Sequence, residues 1–191
     1  MTSDLDARMA FLMEADRLKS VTRATCLADG SRHENSAEHS WHLALFALTL
    51  ADHAPDGVSI DRVIRMLILH DLVEIGAGDT PLFAEEAGTR QADEIAEADR
   101  IFGLLPEPQG ATFRALWDEF EAAETPDARF ARALDRFQPP NLNLANGGGS
   151  WATYGVTGDQ VRGRVGTRIE RGAPALWAWL APRVAAFFGT T

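Results

Sequence analysis

The sequence predicts an all-α protein, a compact single domain of about seven or eight helices. Apolar residues recur at helical spacing in successive segments, and turn-forming residues separate these segments. We find no convincing alternating strand, no internal repeat and no low-complexity segment. The 191 residues fit one domain, so we assign 1–191 to it, with a metal-site core at about 8–140 and C-terminal helices within 157–188.

The first half of the chain predicts three helices. They cover 5–20, 36–53 and 60–75, and the polar segment 21–36 reads as a loop between the first two. Ser59 is a suitable N-cap for the third helix. Several of the candidate site residues named below lie in the second and third of these helices.

The second half predicts five further helices. They cover the ranges 89–105, 112–123, 127–137, 157–171 and 174–188. Pro139-Pro140 is expected to end the third of these, because proline lacks the N–H that a helix interior needs. The glycines at 147–149 do not fit a phosphate-binding loop, since no strand precedes them and no lysine follows.

Composition excludes several classes of protein. The net charge of −10 argues against a binder of nucleic-acid polymers and against docking on anionic membranes, but it permits a small anionic substrate. Cys26 is the only cysteine, so an internal disulfide and a thiolate zinc site are ruled out. The N-terminus lacks a signal pattern, and the longest apolar run, 41–51, is too short to span a bilayer. We therefore expect a cytoplasmic protein.

One segment, Met66–Glu74, combines a nearly all-apolar helix with three ionisable residues. Such a helix is normally buried, yet it contains His70, Asp71 and Glu74. Burying a charge is costly unless it is paired or bound to a metal. The adjacent histidine and aspartate would supply one nitrogen and one oxygen ligand to a divalent cation.

Two more residues complete a candidate ligand set. His39 lies on the inward face of the second helix, and Asp135 lies at the margin of an apolar stripe on the helix 127–137. Two imidazoles and two carboxylates suit Mn, Fe, Co, Ni or Zn, with Mg less favoured. Four protein ligands around an octahedral ion would leave two positions for water and substrate, the arrangement of metal-assisted hydrolysis.

These residues resemble the HD-domain metal-dependent phosphohydrolases, an all-helical superfamily. The shared pattern is His39, then His70-Asp71, then Asp135. The stretches Arg17–Arg23 and Glu34–Ser40, with His70–Glu74 and Gly78–Pro81, are more specific, and they are similar to the branch that contains the bacterial 5′-deoxynucleotidases. The resemblance covers about residues 8–140.

The resemblance implies a role for each matching residue. Glu74 would be the acid/base or water-orienting group, Arg23 would contact the substrate phosphate, and Asp79, with Thr80, would contact the sugar or leaving group. The implied ligands of one divalent metal ion are His39, His70, Asp71 and Asp135, with Asp71 also counted as catalytic. The expected hydrolase would cleave (deoxy)nucleoside 5′-monophosphates to nucleoside and phosphate by metal-activated water, and would form a homodimer.

Two departures leave alternatives open. Ala24 stands where that branch is expected to carry an aromatic residue, so another small phosphate ester or a cyclic nucleotide is an alternative substrate. No histidine lies between His70 and Asp135, which favours one metal over two. A protein that binds a metal or nucleotide without turnover is the alternative outside the enzymes.

Overall fold

The computed structural model describes residues 3–83 and 90–189, and these are predominantly helical, as predicted. In chain order the helices are α1 (Asp4–Ala15), α2 (Ser36–Thr49), α3 (Ile60–Leu69), α4 (Glu74–Ala77), α5 (Arg90–Phe102), α6 (Gln109–Ala122), α7 (Pro126–Ala145), α8 (Gly149–Thr153), α9 (Gly158–Val161), α10 (Thr167–Gly172) and α11 (Pro174–Phe188). None of the described helices is long and apolar enough to cross a membrane. Thr89, the first residue of the predicted helix 89–105, lies outside the described ranges.

The segment predicted as a loop contains a short antiparallel hairpin, so that prediction was wrong. Strand β1 (Thr22–Cys26) pairs with β2 (His33–Asn35). Strands of five and three polar-rich residues are too short to show an alternating pattern, so their pairing leaves no signal in the sequence. The hairpin holds Arg23 beside the start of α2.

Helix α7 lies at the centre of the fold, where it packs against α2, α3, α6, α10 and α11. Thr125 caps its N-terminus and Pro126 occupies its first turn. The predicted stop at Pro139-Pro140 was wrong, because the helix continues through both prolines to Ala145. Buried side chains on both sides of the prolines, including Gln138 and Leu142, show that tertiary packing outweighs the local cost.

The sequence predicts that Ile95, Ala98, Ile101 and Phe102 face inward on the helix 89–105, and α5 buries a slightly different face. Ala98, Ile101 and Phe102 lie in the core as expected, but Ile95 is 40% exposed. Glu97 is buried instead, and its carboxylate binds Arg100. A pattern of apolar residues does not reveal a buried carboxylate that is paired with a half-exposed arginine on the same helix.

The closest approach of α10 to α7 passes over Gly172. A Cβ at this position would lie 2.0 Å from the carbonyl oxygen of Arg129 in α7, so the two helices would have to separate. We expect Gly172→Ala to lower the free energy of unfolding by about 1–3 kcal/mol. The matched control is Gly163→Ala, where a Cβ would meet no atom within 4 Å. Thermal unfolding of both variants checks this, and equal midpoints would contradict it.

Candidate metal centre

Three separate elements bring the four predicted ligands together. His39 lies in the first turns of α2, His70 and Asp71 begin a 3₁₀ turn (His70–Val73) between α3 and α4, and Asp135 lies in α7. All four side chains are buried. The start of α2 is fixed by a capping box, in which the Asn35 side chain accepts from the Glu38 backbone and Glu38 accepts from the Asn35 backbone.

Three of the four predicted ligands, His39, His70 and Asp135, have ligand atoms whose separations suit one cation, and Asp71 lies beside His70. The Nε2 atom of His39 lies 3.1 Å from Oδ1 of Asp135, and Nε2 of His70 lies 2.9 Å from Oδ1 of Asp71. The distance from His70 Nε2 to Asp135 Oδ1 is 4.0 Å. Bonds of about 2.1 Å would place neighbouring octahedral ligands roughly 3.0 Å apart and opposite ones roughly 4.2 Å apart. His39, His70 and Asp135 offer atoms that all lie within 4.8 Å of one another, and Asp71 adjoins this group through His70.

His70 is oriented as a metal ligand would be. Its Nδ1 donates to the carbonyl oxygen of Leu67 at 2.8 Å, and its own carbonyl accepts from Trp117 Nε1 at 3.2 Å. In the described parts of the chain, the buried Nε2 has no hydrogen-bond partner. A histidine whose Nδ1 is held by a backbone carbonyl presents the Nε2 lone pair to a metal.

The electrostatics of the cluster also favour a cation. Burial alone would lower the pKa of His70, but the carboxylates of Asp71 and Asp135 outweigh it and raise the pKa to about 9. Burial alone would raise the pKa of Asp135, but Arg136 and His39 hold it well below its usual range. Buried carboxylates that stay ionised need positive charge beside them, and a divalent ion supplies it.

Glu34 is a member of the site to which the sequence analysis gave no role. Its Oε2 lies 3.4 Å from Nδ1 of His39, a charge contact that is not a hydrogen bond, and its Oε1 accepts from Gln138 Nε2 at 2.9 Å. A carboxylate behind a ligating histidine fixes the ring and raises its basicity. Glu34 is in β2 and His39 is in α2, so periodicity along one element cannot reveal the contact.

We expect Glu34→Gln to weaken binding of a divalent metal by about 10–100-fold, because an amide orients His39 less strongly than a carboxylate. Isothermal titration of metal-stripped protein with Mn²⁺ measures the effect. Glu38→Gln is the matched control, since Glu38 binds Arg32 and caps α2 but does not contact His39. Unchanged Mn²⁺ affinity in Glu34→Gln would show that Glu34 does not orient the ligand.

Arg23 lies beside the ligand set, surrounded by acids. Its Nη1 lies 2.9 Å from Oδ2 of Asp71, 3.6 Å from Oε1 of Glu74 and 3.7 Å from Oδ1 of Asp79. The side chain is only 12% exposed. Burial opposes its charge, but these carboxylates raise its pKa further above the usual value.

Glu74 differs from the other acids of the site. Burial and the negative charge of Asp71 raise the pKa of the Glu74 carboxyl well above its usual value, which favours its protonated form. Ser36 donates its hydroxyl to Oε2 of Glu74 at 2.6 Å. The other oxygen of Glu74, Oε1, lies 3.6 Å from Nη1 of Arg23.

A cleft of about 950 Å³, including the solvent at its mouth, opens over these groups. Gly78, with φ of +75°, turns the chain so that Asp79 and Thr80 line the cleft together with Arg23. Ala24 is also in the wall. The region after Pro140, in which the sequence showed no catalytic motif, contributes further wall residues: Asn143, Ser150, Trp151, Tyr154 and Val165.

Glu121 corrects another expectation. The sequence places it on a solvated acidic face, but in the structure it lines the cleft and binds Arg132 at 2.7 Å. Burial raises its pKa above the usual value. Its partner is eleven residues further along the chain on α7, so the pairing depends on how α6 and α7 pack.

The fold is a helical domain, and two histidines and two aspartates lie close together beside a cleft. These features are typical of a helical class of metal-binding proteins. The chain belongs to the HD domain family, whose sequence model matches residues 15–177. This membership implies a divalent metal, and the observed cluster fits one.

The relatives agree with this assignment. A crystal structure of a predicted metal-dependent phosphohydrolase from Magnetospirillum magnetotacticum is 47% identical, with a TM-score of 0.91 over 97% of this chain and 96% of that one. The human 5′-deoxynucleotidase HDDC2 is 28% identical over 133 residues, which are 67% of this chain and 62% of that protein. The 5′-deoxynucleotidase hdd1 of Schizosaccharomyces pombe is 25% identical over 67% of this chain and 66% of that protein. The chain thus matches about three fifths of the length of the human relative.

Proposed function

We propose that this protein is a divalent-metal-dependent phosphomonoesterase that converts nucleoside 5′-monophosphates, with deoxynucleotides preferred, to nucleoside and phosphate. The observation that carries the proposal is that Arg23 and Glu74, whose pKa is raised, line one cleft beside the buried ligand cluster. The names of the human and yeast relatives support the choice of 5′-deoxynucleotides.

The residues divide the chemistry between them. His39, His70, Asp71 and Asp135 would hold one divalent ion, which supplies an activated water and neutralises charge on the phosphate. Arg23 offers a planar fork of N–H donors that matches the oxygens of a phosphate. Asp79 and Thr80 lie in the same wall and would contact the sugar.

Glu74 completes the reaction by protonating the leaving group. A departing alkoxide is a strong base, and it needs a proton as the bond to phosphorus breaks. The raised pKa of Glu74 favours the protonated carboxyl that this step needs, and the hydrogen bond from Ser36 holds the carboxyl beside Arg23.

The test is phosphate release from a panel of ribo- and deoxynucleoside 5′-monophosphates. Metal-stripped protein would be reloaded singly with Mn²⁺, Co²⁺, Mg²⁺ or Zn²⁺. We expect release from deoxynucleotides with at least one of these metals. If protein with demonstrably bound metal released no phosphate from any nucleotide of the panel, the proposal would be overturned.

Ala24 favours a second candidate, hydrolysis of another small phosphate ester or of a cyclic nucleotide. The residue lines the cleft next to Arg23, and its methyl group leaves room that an aromatic side chain would fill. This candidate would be favoured if all nucleotides released phosphate at similar rates and a phosphate ester of different shape released it faster.

We also propose a cytoplasmic homodimer. Large apolar side chains are exposed on α1, α2 and α11, among them Leu5, Met9, Leu12, Met13, Trp41, Leu48 and Trp179. Burying such side chains between two copies would be favourable. Light scattering after size-exclusion chromatography would measure the mass, and a monomer at micromolar concentration would refute the dimer.

A further inference from the structure

A second arginine, Arg136, contacts Asp135 of the ligand cluster, as Arg23 contacts Asp71. The Oδ1 atoms of Asp71 and Asp135 face the histidines, whereas their Oδ2 atoms face arginines. Arg23 Nη1 lies 2.9 Å from Asp71 Oδ2, and Arg136 Nε lies 3.6 Å from Asp135 Oδ2. Each guanidinium group therefore lies against the outer oxygen of a different proposed ligand.

The two arginines differ in how their donors are used. Arg23 has four acidic side chains within 4 Å and donates a hydrogen bond from Nη1 to Asp71, although its buried Nε, like that of Arg136, has no hydrogen-bond partner among the described residues. Arg132, one turn before Arg136 on α7, donates to Glu121 at 2.7 Å. Arg136 lines the same cleft with 22% of its side chain exposed, and its buried Nε has no hydrogen-bond partner within residues 3–83 and 90–189.

An arginine with unused donors beside a metal centre is prepared to bind an anion. A guanidinium has five N–H groups, and a partly buried N–H without a partner costs free energy. An anion that accepts a hydrogen bond from such a donor regains this free energy. At Arg23 a phosphate would compete for the guanidinium with the acidic side chains around it. Arg136 gives up no hydrogen bond when it takes a phosphate oxygen.

We propose that Arg136 is a second phosphate-binding residue, which holds the phosphoryl group on the Asp135 side of the centre while Arg23 holds it on the Asp71 side. The inference rests on the proposed function, and it names a specificity-determining contact for a phosphate dianion at that site. Charge on a transferred phosphoryl group is spread over three oxygens, so two arginines and a metal match it better than one arginine and a metal.

The test is calorimetric binding of inorganic phosphate to Mn²⁺-loaded protein. We expect Arg136→Gln to weaken phosphate binding about tenfold to a hundredfold. Arg136→Lys keeps the charge but loses the fork, so it should show a smaller loss and also serves if the glutamine variant fails to fold. Arg171→Gln removes one exposed charge from α10 and should leave phosphate affinity unchanged.

Binding of Mn²⁺ alone separates this role from a structural one. If Arg136 acts only by positioning Asp135, its replacement should weaken Mn²⁺ and phosphate binding together, and that result would overturn the inference. Phosphate affinity that is unchanged in both Arg136 variants, or absent in the wild type, would overturn it as well. Phosphate binding that depends on Arg136, in a protein that cleaves no nucleotide, would support the inference while refuting the proposed nucleotidase activity.

Discussion

Asp135→Asn is expected to abolish the stabilisation of the protein by divalent metal and to lower phosphatase activity by at least about a thousandfold. The amide keeps the shape of the side chain, but it removes the charge that faces His39 and His70. A metal ion contributes several kcal/mol of charge stabilisation to such a reaction, and each 1.4 kcal/mol is a factor of ten in rate.

The measurement compares thermal unfolding with and without Mn²⁺. A ligand that binds only the folded state stabilises it by about 2.7 kcal/mol at a hundred times its dissociation constant. The wild type should therefore show a clear rise in midpoint with Mn²⁺, and Asp135→Asn should show almost none. Asp127→Asn is the matched control on the same helix, since Asp127 accepts from the Ser59 backbone away from the cluster. A full Mn²⁺-induced rise in Asp135→Asn would remove this residue from the ligand set.

The parts of the site that sequence reasoning found are those with a local signature. His70, Asp71 and Glu74 are conspicuous because ionisable side chains interrupt an apolar segment that the sequence predicts as one helix. The structure divides this segment into α3, a 3₁₀ turn and α4, and it buries all three side chains. Asp135 was found from its position on an apolar stripe. In each case the cost of burying a charge is visible within one element of the chain.

The parts that were missed depend on contacts between distant elements. Glu34 meets His39 only because the β1–β2 hairpin packs beside α2, and no spacing encodes that approach. Helix α7 continues past Pro139 because of burial on both sides, which local propensity does not weigh. The contribution of Trp151 and Tyr154 to the cleft likewise requires α8 to fold back onto α7.

Glu74→Gln is expected to lower kcat for a nucleoside 5′-monophosphate by about 10²–10⁴-fold while Mn²⁺ binding is retained. Glutamine matches a protonated glutamate in shape and charge, and its carbonyl oxygen can still accept the hydrogen bond from Ser36. What it lacks is a proton that it can transfer to the departing oxygen. The variant therefore separates the chemical step from the folding of the site.

The leaving group provides the internal control for this prediction. p-Nitrophenyl phosphate releases a phenolate that is stable without a proton, so the loss caused by Glu74→Gln should be much smaller with this substrate than with a nucleotide. If the loss is equally large for both substrates, Glu74 does not act on the leaving group. That result would assign the carboxyl to orienting the attacking water, the second role that the resemblance allows for this residue.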